Sequence, residues 1–306
     1  MKIQFHADSD GITSAFFLSK ELNRLKLRHS LKPSLGAYVE LDDEDNIVLD
    51  ISQTSSKHKR NLVIDHHISE RANCLYANPR LAGFEWPVSF TSYALFGNKL
   101  DAWVSAIGVV GDWGAEKVPK QFWSLVKSQW PELVDKVDQK KMVQGPLGEM
   151  SWMIDSSISF DRQKGALYAL EALKTSAGPA EFLAGDGKAS KLKTNREKID
   201  KEIDYVFGNE LVTDKFILLR YGSKHRIKSL VAARAKDLYP NKLIIIAQDD
   251  AKTVRISLRG GKALNTLIAR LTDEIGAGGG HPEASGGWVE KKSWSVFEKR
   301  LFDELG

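Results

Sequence analysis

Cysteine is nearly absent from this chain of 306 residues, in which Cys74 is the single thiol. One cysteine excludes an intramolecular disulfide framework and a zinc site built from several thiolates. Long apolar runs are also absent, since runs such as 243–247 fall far short of the ~18–20 residues of a membrane span. Residues 1–5 have the pattern of a strand rather than that of a signal peptide. We therefore expect a soluble, cytoplasmic protein in which histidine and carboxylate side chains would hold any metal.

Proline and glycine are few, with 9 and 24 residues beside 44 basic and 40 acidic ones. This composition is typical of a globular chain and excludes a collagen-like or largely disordered one. Residues 1–187 carry a net charge of −3, whereas residues 188–306 carry +7. The acidic part favours cation binding, and the basic part favours an anionic partner such as a phosphate backbone. Ordinary solvated surface explains the basic part equally well.

Short apolar runs in the first part of the chain predict strands that alternate with helices. The opening strand, residues 2–5, leads through a polar loop into a helix that starts near Ile12. Nearly continuous apolar strands between helices favour a largely parallel sheet covered on both faces, and such sheets bind ligands at the carboxyl ends of their strands. The further predicted strands are 35–39, 47–51 and 62–64, and the predicted helices are 89–96, 102–110 and most of 119–184.

A second alternating unit follows a charged helical segment. Its predicted strands are 216–219, 243–247 and 253–258, and its predicted helices are 227–238 and 264–275. The sequence thus predicts an α/β protein with two domains and an active site in the cleft between them. The predicted parts are an N-terminal domain with a mostly parallel sheet flanked by helices over 1–185, a linker helix over 186–208 and a smaller α/β domain over 209–306.

The segment from His6 to Gly11 places three potential ligands at alternate positions, just where the first predicted strand ends. Alternate residues of an extended chain point the same way, so His6, Asp8 and Asp10 could converge on one ion. A mixed set of nitrogen and oxygen ligands suits Mn²⁺ or another borderline divalent ion. Capping of the following helix by Ser9 or Asp10 is the structural alternative.

Asp65-His66-His67 follows the predicted strand 62–64 directly. Two adjacent imidazoles at a strand end start in opposite directions, so one could bind a metal and the other a substrate. Single acids close two further apolar elements, Asp50 after a predicted strand and Asp112 after a predicted helix. Taken alone, each of these two acids is explained as a turn residue.

Six of the twelve residues in 276–287 are glycine, and we interpret this segment, which contains His281, as a loop. Consecutive glycines allow backbone N–H groups to surround an anion, which favours phosphate binding over a flexible connector. The segment matches neither a P-loop nor a dinucleotide fingerprint. Arg259 closes the strand before it and offers a guanidinium for bidentate contact with a phosphate.

In this combination and order, the motifs resemble the DHH phosphoesterase superfamily with its DHH-associated C-terminal domain, in particular its RecJ-like exonucleases and nanoRNases. The resemblance spans nearly the whole chain. Its first motif is closer to the RecJ-type and archaeal exonucleases than to the nanoRNases. The positions that carry the resemblance are His6, Asp8, Asp10, Gly11, Asp50, Asp65, His66, His67, Asp112 and Gly278-Gly279-Gly280-His281.

The resemblance implies two Mn²⁺ ions, for which Mg²⁺ and Co²⁺ are alternatives, and a two-metal hydrolysis of phosphodiesters. The implied metal ligands are His6 and Asp8 on one ion, Asp10, His66 and Asp112 on the other, and Asp50 on both. The implied catalytic residues are Asp65, which would orient the ligands, His67, which would contact the scissile phosphate, and Arg259 and His281. The implied substrate-binding residues are His67, Arg259, Gly278, Gly279, Gly280 and His281.

RecJ-type enzymes that process long strands usually add a nucleic-acid-binding domain, for which this chain has no room. We therefore predict a Mn²⁺-dependent phosphodiesterase that hydrolyses short single-stranded oligonucleotides, or linear dinucleotides such as pGpG, to mononucleotides. The alternatives are an exonuclease on longer single-stranded DNA or RNA, a phosphatase of 3′-phosphoadenosine 5′-phosphate and a non-catalytic nucleic-acid-binding relative. No membrane partner is expected, and the oligomeric state stays open, a homodimer being one alternative.

Overall fold

The structure is a computed structural model that describes residues 1–68 and 73–306. The chain divides into two compact units, Met1–Arg196 and Glu197–Gly306. The boundary falls within the helix Ser190–Phe207, inside the segment 186–208 that the sequence predicts as a linker. None of the helices in the described residues combines the length and the hydrophobicity of a membrane span.

The first unit is built on a parallel sheet. Its strands are β1 (Lys2–His6), β2 (Ser30–Ser34), β3 (Tyr38–Leu41), β4 (Asn46–Leu49), β5 (Gln53–Ser56), β6 (Leu62–Ile64) and β7 (Leu75–Ala77). The main sheet has the order β2-β1-β4-β6-β7, and all its neighbouring strands are parallel. Strands β3 and β5 form a separate parallel pair. The predicted α/β fold with a largely parallel sheet is confirmed.

Helices pack around this sheet. They are α1 (Ser9–Arg24), α2 (Val88–Phe96), α3 (Ala102–Gly111), α4 (Lys120–Gln129), α5 (Gln139–Val143), α6 (Pro146–Asp161), α7 (Gln163–Thr175), α8 (Pro179–Ala184) and the first residues of α9 (Ser190–Phe207), which continues into the second unit. Phe5 of β1, Phe17 of α1 and Ile107 of α3 are fully buried in one core. Helix α3 is buried from Ala102 to Val110, as expected for a helix that is apolar on all sides. This burial holds the end of α3 beside the sheet.

The predicted strand 35–39 is wrong in its position. The chain forms β2 before it, over the more polar Ser30–Ser34, and β3 after Ala37. Strand β2 contains Pro33 and lies at the edge of the sheet, where a proline is tolerated because one side of the strand needs no hydrogen-bonded neighbour. Leu35 packs against the core from the connection between the two strands, which explains its apolar character.

The second unit is a mixed sheet with helices. Its elements are β8 (Leu211–Val212), β9 (Phe216–Gly222), α10 (Lys228–Leu238), β10 (Leu243–Asp249), β11 (Thr253–Arg259), α11 (Leu264–Thr272), β12 (Gly276–His281), β13 (Ala284–Glu290) and α12 (Trp294–Leu305). The strand order is β12-β13-β11-β10-β9-β8, and only the pair β9–β10 is parallel within the described sheet. Side chains of α11 and α12, such as Ile268 and Phe297, share a core with Leu258 of β11.

The glycine-rich segment 276–287 is a hairpin of two paired strands, so its interpretation as a loop is wrong. Residues Gly276 to His281 pair with Val289 to Ala284 in an antiparallel register. The sequence obscures these strands because glycine is depleted in strands and offers no side-chain pattern. Close packing explains one of the glycines, since a Cβ at Gly278 would lie 2.7 Å from Cγ1 of Ile268 on α11.

The two neighbouring glycines of β12 allow a matched test of this packing. We expect Gly278→Ala to lower the free energy of unfolding by ~1–3 kcal/mol, the usual cost of overpacking a core. A Cβ at Gly279 meets nothing within 4 Å, so Gly279→Ala should change stability by less than ~0.5 kcal/mol. Chemical denaturation of both variants measures the difference. Equal destabilisation by the two substitutions would contradict the assigned faces of the strand.

Candidate active site

Three adjacent strands of the parallel sheet lead into predicted site residues. His6 is the last residue of β1, Asp50 follows β4, and Asp65 follows β6. Strand β4 lies between the other two, so Asp50 has the central position. Parallel strands end at the same edge of a sheet, which is where ligands of such sheets bind. Asp50 adopts a φ of 58°, a left-handed conformation that aspartate adopts more readily than most residues.

Helix α1 begins at the same edge and adds Asp8. This residue caps the helix, because its Oδ1 accepts the Gly11 N–H at 2.9 Å, while its Oδ2 contacts Nδ1 of His6. Gly11 is required by close approach, since a Cβ there would lie 2.2 Å from the carbonyl oxygen of His6. The alternative that Ser9 or Asp10 caps this helix is wrong.

Asp10 lies in the first turn of α1 and is buried. Its Oδ2 accepts the Val88 N–H at 2.9 Å, and its Oδ1 accepts the Ser89 N–H at 2.8 Å. These amides belong to the first turn of α2, where the helix dipole favours a negative charge. Helix α2 therefore fixes Asp10, and each carboxylate oxygen keeps a lone pair for a cation.

The predicted metal ligands form overlapping groups. Within each group, one candidate ligand atom of every residue lies within 4.8 Å of the others. Asp50 and His66 each belong to two groups, with His66 Nε2 3.4 Å from Asp50 Oδ1. The structure thus brings together all six predicted ligands, whose role as ligands stays a prediction. The groups are His6–Asp8–Asp50, Asp10–His66–Asp112 and Asp50–His66–His67.

The environment of His66 fits a bound cation. The residue is 6% exposed, and neither nitrogen of its ring makes a hydrogen bond to any part of the chain that the structure describes. Carboxylate oxygens of Asp50 and Asp112 lie 3.4 and 3.6 Å from these nitrogens. A buried imidazole without hydrogen bonds is costly unless another partner satisfies it. A divalent ion between histidine and carboxylates supplies such a partner.

The carboxylates repel one another in the absence of cations. Burial, together with the charges of Asp10 and Asp8, raises the pKa of Asp112 to about 8. Burial also raises the pKa of Asp10 to about 7, with a contribution from Asp8. The pKa of Asp50 is well above its ordinary value, because this residue is buried among the other acids. Cations bound at the cluster would reverse this effect and favour the ionised carboxylates.

The pKa values of the two adjacent histidines are shifted in opposite directions. Nδ1 of His67 lies 2.8 Å from Oδ1 of Asp65, and this hydrogen bond raises the pKa of His67. Burial and the charge of His67 lower the pKa of His66 to about 4. At neutral pH, His66 is therefore a neutral imidazole, which is the form that binds metals. Because Asp65 holds Nδ1 of His67, Nε2 is the nitrogen available to a substrate.

Sequence reasoning missed Asp155, which lies in α6. Its carboxylate accepts the Ser9 N–H, and burial and the charge of Asp8 raise its pKa to about 7. The one signal in the sequence is that an acid interrupts a helix whose neighbours Met153, Ile154 and Ser156 are buried. Asp155 thus supports the start of α1 and adds to the negative charge around His6.

Two cations near the cluster were also missed. The charges of Arg80 and Lys117 add to the effect of burial that lowers the pKa of His66, and they offset part of the rise in the pKa of Asp112. Nε of Arg80 donates to the carbonyl oxygen of His66 at 2.5 Å. The sequence contains no motif that links either residue to the histidines, because these contacts depend on how β7 and α3 pack.

In the second unit, Arg259 and His281 lie on the same face of the sheet. Both pair with Ala284, from β11 on one side and from β12 on the other. Directly paired residues point to the same side, and adjacent strands are ~4.8 Å apart, so the two Cα atoms are separated by ~10 Å. Gly279 has the same orientation by strand alternation. An anion of the size of a phosphate fits between two long side chains at this spacing.

This face carries further positive charge that sequence reasoning missed. Arg255 precedes Arg259 by four residues on β11 and therefore points to the same side. Burial and the charges of Arg259 and Arg255 lower the pKa of Lys228, at the start of α10. The Arg259 guanidinium donates to the carbonyl oxygens of Leu258 and Ser285 and forms no ion pair with any described acid. Arg255 is paired with Asp250 at 2.6 Å, so Arg259 is the cation of this strand that is left to attract an anionic ligand.

Residues 214–303 match the family model of the DHHA1 domain. Comparison with curated proteins finds no match. Among solved structures, the chain is similar to RecJ from Thermus thermophilus in complex with Mn²⁺, with a TM-score of 0.61 and 15% identity over 98% of this chain and 51% of that one. The chain thus spans about half the length of the Thermus protein.

Two further structures match over most of both chains. One is an exonuclease RecJ bound to manganese, with a TM-score of 0.63 and 16% identity over 98% of this chain and 88% of that one. The other is PggH from Vibrio cholerae, a pGpG-specific phosphodiesterase, with a TM-score of 0.58 and 13% identity over 99% of this chain and 98% of that one. At these identities the comparison establishes a shared fold.

Proposed function

Because residues 214–303 form a DHHA1 domain within a chain that has the fold of the DHH phosphoesterases, we propose that the protein is a Mn²⁺-dependent phosphodiesterase of short oligonucleotides. The DHH-associated C-terminal domain predicted from the motifs is confirmed for residues 214–303, and nearly the whole chain shares the fold of the RecJ and PggH structures. The observation that carries the proposed activity is the buried ring of His66, which has carboxylates near both nitrogens and no hydrogen-bond partner among the described residues.

The cluster offers two sets of ligands for divalent ions. His6, Asp8 and Asp50 would hold one ion, and the set of Asp10, His66 and Asp112 would hold the other. Bound divalent ions lower the pKa of water and stabilise the charge that develops on a phosphodiester during hydrolysis. Histidine and carboxylate ligands fit Mn²⁺ and also accept Mg²⁺ or Co²⁺.

His67 is proposed to act on the substrate directly. Its raised pKa favours the imidazolium, which attracts the negative charge of a phosphodiester. Asp65 holds the proton on Nδ1, so that Nε2–H can donate to a phosphate oxygen. Asp65 therefore acts as a positioning residue for His67, and its other oxygen, Oδ2, is buried without a hydrogen bond to any described residue.

The second unit is proposed to bind another phosphate of the substrate. Arg259 offers a planar guanidinium for bidentate contact, and His281 lies across Ala284 from it. Gly279 leaves open space on this face of β12. The phosphate would thus rest on the strands of a hairpin rather than in a glycine loop. Positioning by a second phosphate accelerates the reaction of the first by fixing its orientation.

One similarity supports short substrates. The chain shares its fold with the pGpG-specific phosphodiesterase PggH over 99% of this chain and 98% of that one. We expect kcat/KM to be highest for substrates of two to five nucleotides and to be at least ~10-fold lower for twenty nucleotides. Turnover of end-labelled substrates of two to twenty nucleotides, measured with Mn²⁺ and with EDTA, tests this expectation.

The same assay separates the alternatives. Preference for the longest substrates would favour an exonuclease on single strands, and release of phosphate from 3′-phosphoadenosine 5′-phosphate alone would favour a phosphatase. Binding of oligonucleotides without any metal-dependent hydrolysis would indicate a non-catalytic relative and would contradict the proposal.

A further inference from the structure

A pocket of about 360 Å³ adjoins the histidine pair in the first unit. His67 lines one side, and the rest of the wall includes Tyr76, Leu81 and Phe84. Leu81 is 59% exposed and Phe84 is 46% exposed. Exposed apolar side chains that gather in a concave surface mark a ligand site more often than scattered ones do.

Phe84 is supported from behind by a series of aromatic rings. Its ring stacks on Trp86 with the centroids 4.4 Å apart and the planes at 19°. Trp86 in turn contacts Phe90 edge to face at 5.1 Å, and Phe90 is buried in the core of the unit. One face of Phe84 is thus covered by a ring that the core holds, and the ring presents a flat, preorganised surface to the pocket.

Polar contacts fix the opposite side of the pocket. The Asn78 side-chain amide donates to the carbonyl oxygen of His67 at 2.9 Å and to the Tyr76 hydroxyl at 3.0 Å. Oδ1 of Asn78 accepts the Arg80 N–H at 2.9 Å, and Nε of Arg80 donates to the carbonyl oxygen of His66. The segment that carries the pocket is therefore hydrogen-bonded to both histidines.

We propose that this pocket binds a nucleobase, stacked on Phe84, of the nucleotide whose phosphate lies at the carboxylate–histidine cluster. The inference rests on the proposed phosphodiesterase function and extends it to recognition of the base. A sugar is the only link between the phosphate and the base of one nucleotide. A nucleotide with its phosphate near His67 therefore reaches a pocket that the same residue lines.

The chemistry of the pocket favours a base over other apolar ligands. Stacking on aromatic rings is the common way in which proteins bind unpaired bases, and it tolerates any base because each has a flat face. Arg80, whose Nη1 lies 3.5 Å from Oε1 of Glu85 in the same wall, adds a planar guanidinium, a group that also stacks on bases. A purely apolar ligand would gain nothing from this charge or from the adjacent cluster.

Binding of guanosine 5′-monophosphate and of ribose 5-phosphate to the Mn²⁺-loaded protein tests the proposal by calorimetry. The two probes share the sugar and the phosphate and differ in the base. We expect Phe84→Ala to weaken nucleotide binding by roughly 10-fold, the lower part of the range for one base–aromatic stack, and to leave ribose 5-phosphate unaffected. Phe84→Trp should keep nucleotide binding, and Leu95→Ala, an exposed residue of α2 outside this pocket, serves as the matched control.

Each result decides the question. Equal loss for both probes, or no loss for the nucleotide, would overturn the proposal. If Phe84→Ala lowers the melting temperature strongly, Phe84→Leu, which keeps the apolar bulk without a flat ring, takes its place with the same expected loss. Phe84→Ala could weaken nucleotide binding selectively while the wild-type protein hydrolyses no phosphodiester. That result would support the base pocket and contradict only the proposed phosphodiesterase function.

Discussion

Asp50→Asn should abolish Mn²⁺-dependent hydrolysis, with kcat lower by about 10³-fold or more. Asp50 lies between the two main ligand groups, with oxygens 3.8 Å from Nδ1 of His6 and 3.4 Å from Nε2 of His66. Asparagine has the same shape but no charge, so neither of the two proposed ions would keep the carboxylate that they share. Metal ions contribute several kcal/mol to the stabilisation of such a transition state, and ~4 kcal/mol corresponds to 10³-fold in rate.

The same substitution should stabilise the metal-free protein. The pKa of Asp50 is raised by burial and by the neighbouring acids, so its ionised form opposes folding at neutral pH. Asparagine removes that charge. Steady-state kinetics with Mn²⁺ and thermal melting in EDTA measure the two effects, and Asp43→Asn, at an aspartate whose side chain is 78% exposed, is the control. An Asp50→Asn variant that retains wild-type turnover would contradict the assigned site.

Arg259→Ala should raise KM for a dinucleotide by about 10- to 100-fold and leave Mn²⁺ binding unchanged. A hydrogen bond to a charged group contributes about 1.5–3 kcal/mol, and this guanidinium has no competing acid among the described residues. The KM of Arg259→Lys should lie between those of the wild type and of Arg259→Ala, because an ammonium keeps the charge and loses the bidentate geometry. His281→Ala should also raise KM for a dinucleotide.

Kinetics and calorimetry together test the second prediction. Lys299→Ala provides the matched control, because Lys299 is an exposed cation of α12, which packs on the other face of the sheet. A general effect of net charge would lower substrate binding equally in the Lys299 variant. Loss of Mn²⁺ binding in Arg259→Ala would show that the residue supports the metal cluster rather than the substrate.

The sequence predicted the parts of the site that follow from strand ends. His6, Asp50 and Asp65 come directly after short apolar runs, and parallel strands bring their ends together without further information. The ligand role of Asp112 came from the family resemblance, because an acid after an apolar helix is by itself explained as a turn residue, and that helix is α3 in the core. Local patterns and one rule of topology thus placed the strand-end residues together, and the resemblance added the ligand roles of Asp50 and Asp112.

Residues that depend on packing between distant elements could not be predicted. Asp155 and Arg80 reach the cluster through contacts of α6 and of the segment after β7, and no local pattern encodes these contacts. The hairpin of β12 and β13 was missed because six glycines remove the side-chain alternation that reveals a strand. The close packing of Gly278 against α11 becomes visible only in three dimensions.

The candidate ligands come from four separate stretches of the first unit, at the junction of β1 and α1 and at the ends of β4, β6 and α3. An unfolded chain cannot hold these stretches together, because closing several loops at once has a large entropic cost. Divalent ions would consequently bind the native chain alone and shift its folding equilibrium by mass action. The abundance of this protein in a cell would then follow the supply of the ion.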